Sequence, residues 1–176
     1  MSNYFELFGL KADFLLDISQ LSEAFQQLQK TAHPDKFAHA SSQEQLLAVQ
    51  KSATINEAYQ TLKDPLKRAE YLLKLRETEM PSEQASFQDN AFLMQQMELR
   101  EMLAEVKQAD DIDAALLEVR TVLDSEYQHL FTQLQQLLSL NSENANQQAS
   151  KVLRKLKFFQ KLQIEVDRLE EQLFDN

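Results

Sequence analysis

Residues 28–41 read Leu28-Gln29-Lys30-Thr31-Ala32-His33-Pro34-Asp35-Lys36-Phe37-Ala38-His39-Ala40-Ser41. Before this stretch, Leu21, Phe25 and Leu28 stand at helical spacing, and Pro34 stops that helix because the residue before a proline is pushed out of the α region. After it, Ser41 and Glu44 have the capping-box spacing that opens a new helix. That helix carries Ile55, Ala58, Tyr59 and Leu62 at i, i+3, i+4 and i+7. The stretch is thus the bend of a helical hairpin. Two short helices flank it. Asn3 with Glu6 forms a capping box for Tyr4 to Phe8, which Gly9 stops in the left-handed conformation. Asp64-Pro65 closes the third helix and opens a fourth running through Leu72 and Leu73.

The rest of the chain is also helical. Among 176 residues there are one Gly and three Pro, too few for the tight turns of a hairpin-rich sheet or for a phosphate-cradling loop. Leu, Gln, Glu, Ala and Lys dominate, residues that lose little rotamer freedom in a helix. Residues 76–90 lose periodicity, contain Pro81 and are rich in Glu, Ser, Thr and Gln, so a linker and domain boundary are expected there. Beyond it lie three long patterns. The second places Ile112, Leu116, Val119, Leu123, Tyr127, Leu130, Leu134 and Leu137 on one stripe, and the third does so with Ala149, Val152, Leu156, Phe159, Leu162, Val166, Leu169 and Leu173. Such stripes require partners, and a three-helix bundle over residues 91–176 supplies them. The expected fold is all-α.

Several function classes are excluded. With no Cys there is no disulfide framework, thiolate nucleophile or Cys zinc site. The net charge is −10, of which residues 76–176 carry −9, the reverse of the basic face that nucleic acid demands. Protein partners are expected, with neither nucleic acid nor membrane. The first twenty residues show no basic n-region, and no apolar run approaches the roughly 20 residues of a membrane span, so a cytoplasmic protein is expected.

His33, Pro34, Asp35 and Lys36 stand side by side on a loop that proline stiffens, which displays their side chains outward. A turn that merely ends a helix would use the same residues, and no nucleophile lies nearby. The one enzyme-like motif is Glu126-x-x-His129, half of a di-iron bundle site, with no second copy and thus no expected metal or other cofactor.

On the first part of the chain, Tyr4-Phe5-x-Leu7-Phe8-Gly9-Leu10, Phe25-x-x-Leu28, His33-Pro34-Asp35-Lys36-Phe37, Ile55-Asn56-x-Ala58-Tyr59 and Leu62-x-Asp64-Pro65-x-x-Arg68-Ala69-x-Tyr71 stand in the order and spacing of a J domain. The resemblance covers residues 1–75. It implies a co-chaperone, not an enzyme, that docks on a DnaK-type chaperone through His33, Pro34, Asp35 and Lys36 and the preceding helix with Lys30, and stimulates its ATPase. Gly/Phe-rich and Cys-rich segments of general DnaJ proteins are missing. Instead, Ala91-Phe92-Leu93-Met94-x-x-Met97-Glu98-Leu99-Arg100-Glu101 and Arg154-Lys155-Leu156-Lys157-Phe158 resemble the HscB family of bacterial iron–sulphur cluster assembly. That resemblance implies delivery of the cluster scaffold IscU to the specialised chaperone HscA. One departure stands out. The helix before His33 shows Gln26, Gln27, Gln29 and a lone Lys30 where general J domains carry several Lys and Arg, so steering toward an acidic chaperone surface is expected to be weaker.

At 100° per residue, Phe92, Leu99, Leu103 and Val106 share the side of the first C-terminal helix that docks on the bundle. Leu93, Met94, Met97, Glu98, Glu101 and Glu105 fall opposite, an apolar patch beside a carboxylate row. The resemblance makes this stripe, with Phe158 from the last helix, the scaffold-binding surface. Lys151, Arg154, Lys155, Lys157 and Lys161 are expected to form a basic face packed against the acidic region 83–126. A di-iron bundle enzyme and a structural adaptor that merely dimerises are the competing readings.

Overall fold

The computed structural model describes residues 3–82 and 89–174. Among these, helices account for the regular structure and no strand occurs. Residues 83–88 of the expected linker lie outside the described residues. The chain forms two compact units, Met1–Arg76 and Glu77–Asn176. No described helix is long and apolar enough to cross a membrane.

In the first unit, α1 (Tyr4–Leu7) begins at a capping box: Asn3 Oδ1 accepts from Glu6 N at 2.9 Å, and Glu6 Oε2 accepts from Asn3 N at 3.3 Å. Phe8 is its C-cap, not its last helical residue, and Gly9 follows at φ 67°. Asp17 caps α2 (Ile18–Ala32) by accepting from Ser19 N and Gln20 N. A 3-10 turn (Pro34–Phe37) leads to α3 (Ser42–Lys63), whose Ser41 cap accepts from Glu44 N. Asp64 ends α3 and caps α4 (Pro65–Leu75), with Pro65 at the first helical position, where its missing N–H costs nothing.

The contacts between α2 and α3 run antiparallel. Phe25 stacks on Tyr59 at 4.1 Å between ring centroids, while Gln29 Nε2, one turn further on, donates to Asn56 Oδ1 at 2.7 Å and Gln29 Oε1 accepts from Ser52 Oγ at 3.1 Å. Leu21, Ile55, Ala58, Leu62, Leu66, Ala69, Leu72 and Leu73 fill the core, with Phe5 of α1 sealing one end against Tyr71. Arg68 lies inside. Its guanidinium donates to the carbonyls of Phe14 at 2.9 Å and Leu62 at 2.7 Å and sits over the Phe14 ring.

The second unit is a three-helix bundle of α5 (Asn90–Glu105), α6 (Ile112–Leu140) and α7 (Glu143–Phe174). Pairing order gives its topology. Gln163 meets Asp124 and Asp167 meets Arg120, so α6 and α7 are antiparallel. Asp89, Phe92 and Arg100 meet Lys155, Phe158 and Glu165, so α5 runs parallel to α7. Asn141 turns the α6–α7 corner at φ 47°, left-handed geometry that Asn tolerates because its side chain bonds locally. Here Asn141 Oδ1 accepts from Asn146 Nδ2 at 3.3 Å. The α7 stripe is buried through Leu169, while Leu173 is half-buried. On α6 the buried residue of the last turn is Leu138 and not Leu137. Over a 29-residue helix the true 3.6 period drifts from a 3.5 average, moving the stripe by about one position.

Candidate functional site

The first unit presents its loop rigidly. His33 is the C-cap of α2, with its N–H bonded to Gln29 O at 2.9 Å, and its extended backbone (ψ 133°) is what the following proline requires. His33 O then accepts from Lys36 N at 3.0 Å, and Ala40 N bonds Phe37 O. Gln45 on α3 reaches back to Ala38 O at 3.0 Å, tying the loop to the second arm of the hairpin. Backbone bonds therefore hold the loop while its side chains stay outside: those of His33 and Asp35 are 53% and 92% exposed.

His33 Nδ1 accepts from Asp35 N at 3.2 Å, and Asp35 Oδ2 lies 3.5 Å from the same nitrogen. Lys30, in the last turn of α2, and Lys36 are exposed, and Pro34 is half-buried. Of the glutamines on α2, Gln26 and Gln27 face solvent, whereas Gln29 is engaged with Asn56 and Ser52 inside the hairpin.

In the second unit Asp89 caps α5, accepting from Phe92 N at 3.0 Å. Phe92, Leu99 and Val106 are buried against the bundle, and Leu103 is half-buried. On the other side Met94 is 61% and Met97 71% exposed, with Glu98, Glu101 and Glu105 exposed beside them. Leu93 is half-buried at the border of the two faces. Phe158 is half-buried, edge-on to Phe92 at 5.4 Å and beneath the Arg100 guanidinium at 5.7 Å, which Glu165 holds from α7. Phe158 therefore belongs to the α5–α7 seam as much as to the surface.

The basic run is divided. Lys155 pairs with Asp89 at 3.6 Å and lies over the Phe92 ring, and Arg154 donates to Ser82 O at 3.1 Å, while Lys151 and Lys161 are exposed. Glu126 is half-buried and His129 exposed, and among the described residues no group of three or more His, Asp or Glu is placed to hold a metal ion.

A cavity of about 650 Å³ opens where α5 passes through a short 3-10 turn (Val106–Gln108) into α6. Met102, Val106, Ala109, Ala115 and Val119 supply its apolar lining, and Glu105, Gln108 and Glu118 its polar groups. Spacing along α5 shows Glu105; it gives no sign that Glu118, on the next helix, joins it.

The DnaJ domain model matches residues 3–71, and the HSCB C-terminal oligomerisation domain model matches residues 88–167. A co-chaperone protein HscB homolog of Colwellia psychrerythraea is 61% identical over 174 residues, 99% of each chain. The chaperone HscB from Vibrio cholerae superposes with a TM-score of 0.92 at 52% identity, covering 98% of this chain and all of that one. The chain belongs to the HscB family of J-domain co-chaperones. The crystal structure of human co-chaperone protein HscB matches at a TM-score of 0.86 and 29% identity, over 97% of this chain and 83% of that one. Its members are co-chaperones, not enzymes, and a J domain implies a partner of the Hsp70 type.

Proposed function

We propose that the protein stimulates the ATPase of HscA and delivers the scaffold IscU to it during maturation of iron–sulphur proteins, acting in the cytoplasm. Residues 1–75 form the chaperone-docking domain, residues 76–90 the linker and residues 91–176 the scaffold-binding bundle. His33, Pro34, Asp35 and Lys36, with Lys30 on α2, contact the chaperone. Leu93, Met94, Met97, Glu98, Glu101 and Glu105, with Phe158, contact the scaffold.

The observation that carries this reading is the pairing of two displayed surfaces on separately folded units. One is a loop whose backbone is bonded and whose His33 and Asp35 side chains are not packed. The other is an α5 face with Met94 and Met97 in water. Exposing two methionines at consecutive turns costs apolar burial, and a flexible thioether suits a surface that adapts to a partner. The expected behaviour is bivalent. One unit holds the client, the other engages the chaperone, and the client reaches the chaperone at a raised effective concentration.

The test is the steady-state ATPase of HscA, alone, with this protein, and with this protein plus IscU. Stimulation by the protein, further raised by IscU, is the expected result. His33→Gln at matched helicity should abolish the stimulation while leaving IscU binding intact. An unstimulated ATPase in the presence of the folded wild-type protein rejects the reading.

A further inference from the structure

The cavity lies where α5 passes into α6. Five of its eight lining residues are apolar, Met102, Val106, Ala109, Ala115 and Val119, while Gln108 and two carboxylates, Glu105 from α5 and Glu118 from α6, both exposed, make much of its surface polar. Neither takes part in the ion pairs that α5, α6 and α7 share: Arg100 is held by Glu165, and Arg120 by Asp167 and Glu170. Between positions 98 and 118 stand seven acidic residues, Glu98, Glu101, Glu105, Asp110, Asp111, Asp113 and Glu118, against Arg100 and Lys107, so the local field is negative. Residues 76–176 carry −9 overall, which extends that field.

A cavity that sets apolar side chains beside two carboxylates is complementary to one kind of protein group, a long aliphatic stem ending in a cation. Lysine and arginine have that shape, burying their methylenes while the head stays at the rim. A purely apolar side chain leaves both carboxylates desolvated without a partner, and an acidic one is repelled. The cavity is also continuous with the face already described. Glu98, Glu101 and Glu105 step along α5 at three and four residues, and Met102 lies at the edge of the same arc as Met94 and Met97.

We infer that this cavity receives a lysine or arginine side chain of the client scaffold, with Met102, Val106 and Val119 against its stem and Glu105 and Glu118 at its head, so that α6 contributes to client recognition. The inference rests on the reading of the α5 face as the client surface, and the experiment separates the two.

Binding of IscU is measured by isothermal titration calorimetry for the full-length wild type, Met97→Ala, Glu118→Lys, Glu118→Gln and Ala115→Leu, with helicity and melting temperature recorded for each. Glu118→Lys should weaken binding about tenfold or more, since it places a cation where a cation must enter. Ala115→Leu should weaken it by filling the pocket, and Glu118→Gln should flatten the dependence of affinity on salt between 50 and 300 mM NaCl. If Met97→Ala weakens binding but all three cavity variants bind like the wild type, the client lies on α5 alone and the inference is overturned. If Glu118→Lys weakens binding while Met97→Ala does not, the cavity assignment stands and the α5 methionines lose their role. If no variant affects binding, both readings are overturned. Sedimentation velocity of the chain without IscU covers the remaining occupant: a dimer that Glu118→Lys dissociates gives the cavity to a second copy and overturns the inference as well. Glu118 is exposed, so its variants remain informative even if Ala115→Leu fails to fold.

Discussion

Two residues of the first unit show how differently a side chain can matter. His33 is bonded through its backbone to Gln29 O of α2 and Lys36 N, and its side chain only through Nδ1 to Asp35 N, so His33→Gln should remove ATPase stimulation and leave stability within about 0.5 kcal/mol of the wild type. Arg68 is the reverse case. Burial lowers its pKa, with the nearby Asp64 acting the other way, yet it remains a cation whose donors satisfy two buried carbonyls. Arg68→Met keeps the volume but takes the guanidinium donors away from the carbonyls of Phe14 and Leu62, and losing a bond to a buried carbonyl costs about 1–3 kcal/mol. Urea denaturation should therefore show roughly 2–4 kcal/mol lost, and a loss below about 0.5 kcal/mol contradicts the structural role. In the sequence Arg68 was visible only as part of a motif. That it is buried follows from neither charge nor periodicity, because those place a lone arginine on the surface.

Along α5 the 3.6-residue period separates two faces, and the separation makes opposite predictions for neighbours. Leu99 is buried among Phe92 and Val106, so Leu99→Ala should cost about 2–5 kcal/mol of bundle stability. Met97→Ala removes a side chain that is 71% in water, so the melting temperature should barely move. If the partner covers that side chain, scaffold affinity should fall about tenfold, the equivalent of roughly 1.4 kcal/mol. Calorimetry that found the stability cost on Met97 and none on Leu99 would falsify the assignment of faces. Both faces were legible because α5 is one helix with one period. What was not legible depends on neighbours. Leu103 is half-buried, Phe158 of α7 is half-buried against Phe92 of α5, Leu138 replaces Leu137 in the α6 core because the stripe drifts, and Gln29 left the solvent face of α2 to bond Asn56 and Ser52. Each depends on where a second helix lies, and no spacing within one helix encodes that.

For the whole molecule, the two units have separate cores, one built on Leu21, Ile55, Leu62 and Leu72 and the other on Leu123, Leu134, Leu156 and Phe159. A fragment of residues 1–76 keeps the residues of the first core and the Tyr4 N–H to Tyr71 hydroxyl bond that fastens α1 to α4. Domains of 55–65 residues already fold alone, so the fragment should unfold in a single cooperative urea transition, with roughly 1–3 kcal/mol/M as its m-value. It retains the His33 loop and should stimulate the chaperone ATPase in the absence of scaffold. It lacks α5 to α7, so adding scaffold should produce no further gain. The gain seen with the full chain then reflects two sites carried on one polypeptide, since tethering raises effective concentration without any new contact. Mixing the 1–76 and 77–176 fragments in equal amounts tests that argument without changing a single side chain. The mixture should stimulate like the 1–76 fragment alone. If the untethered mixture reproduces the scaffold-dependent gain of the intact chain, covalent linkage is dispensable, and a change in the scaffold or chaperone on binding must account for the gain.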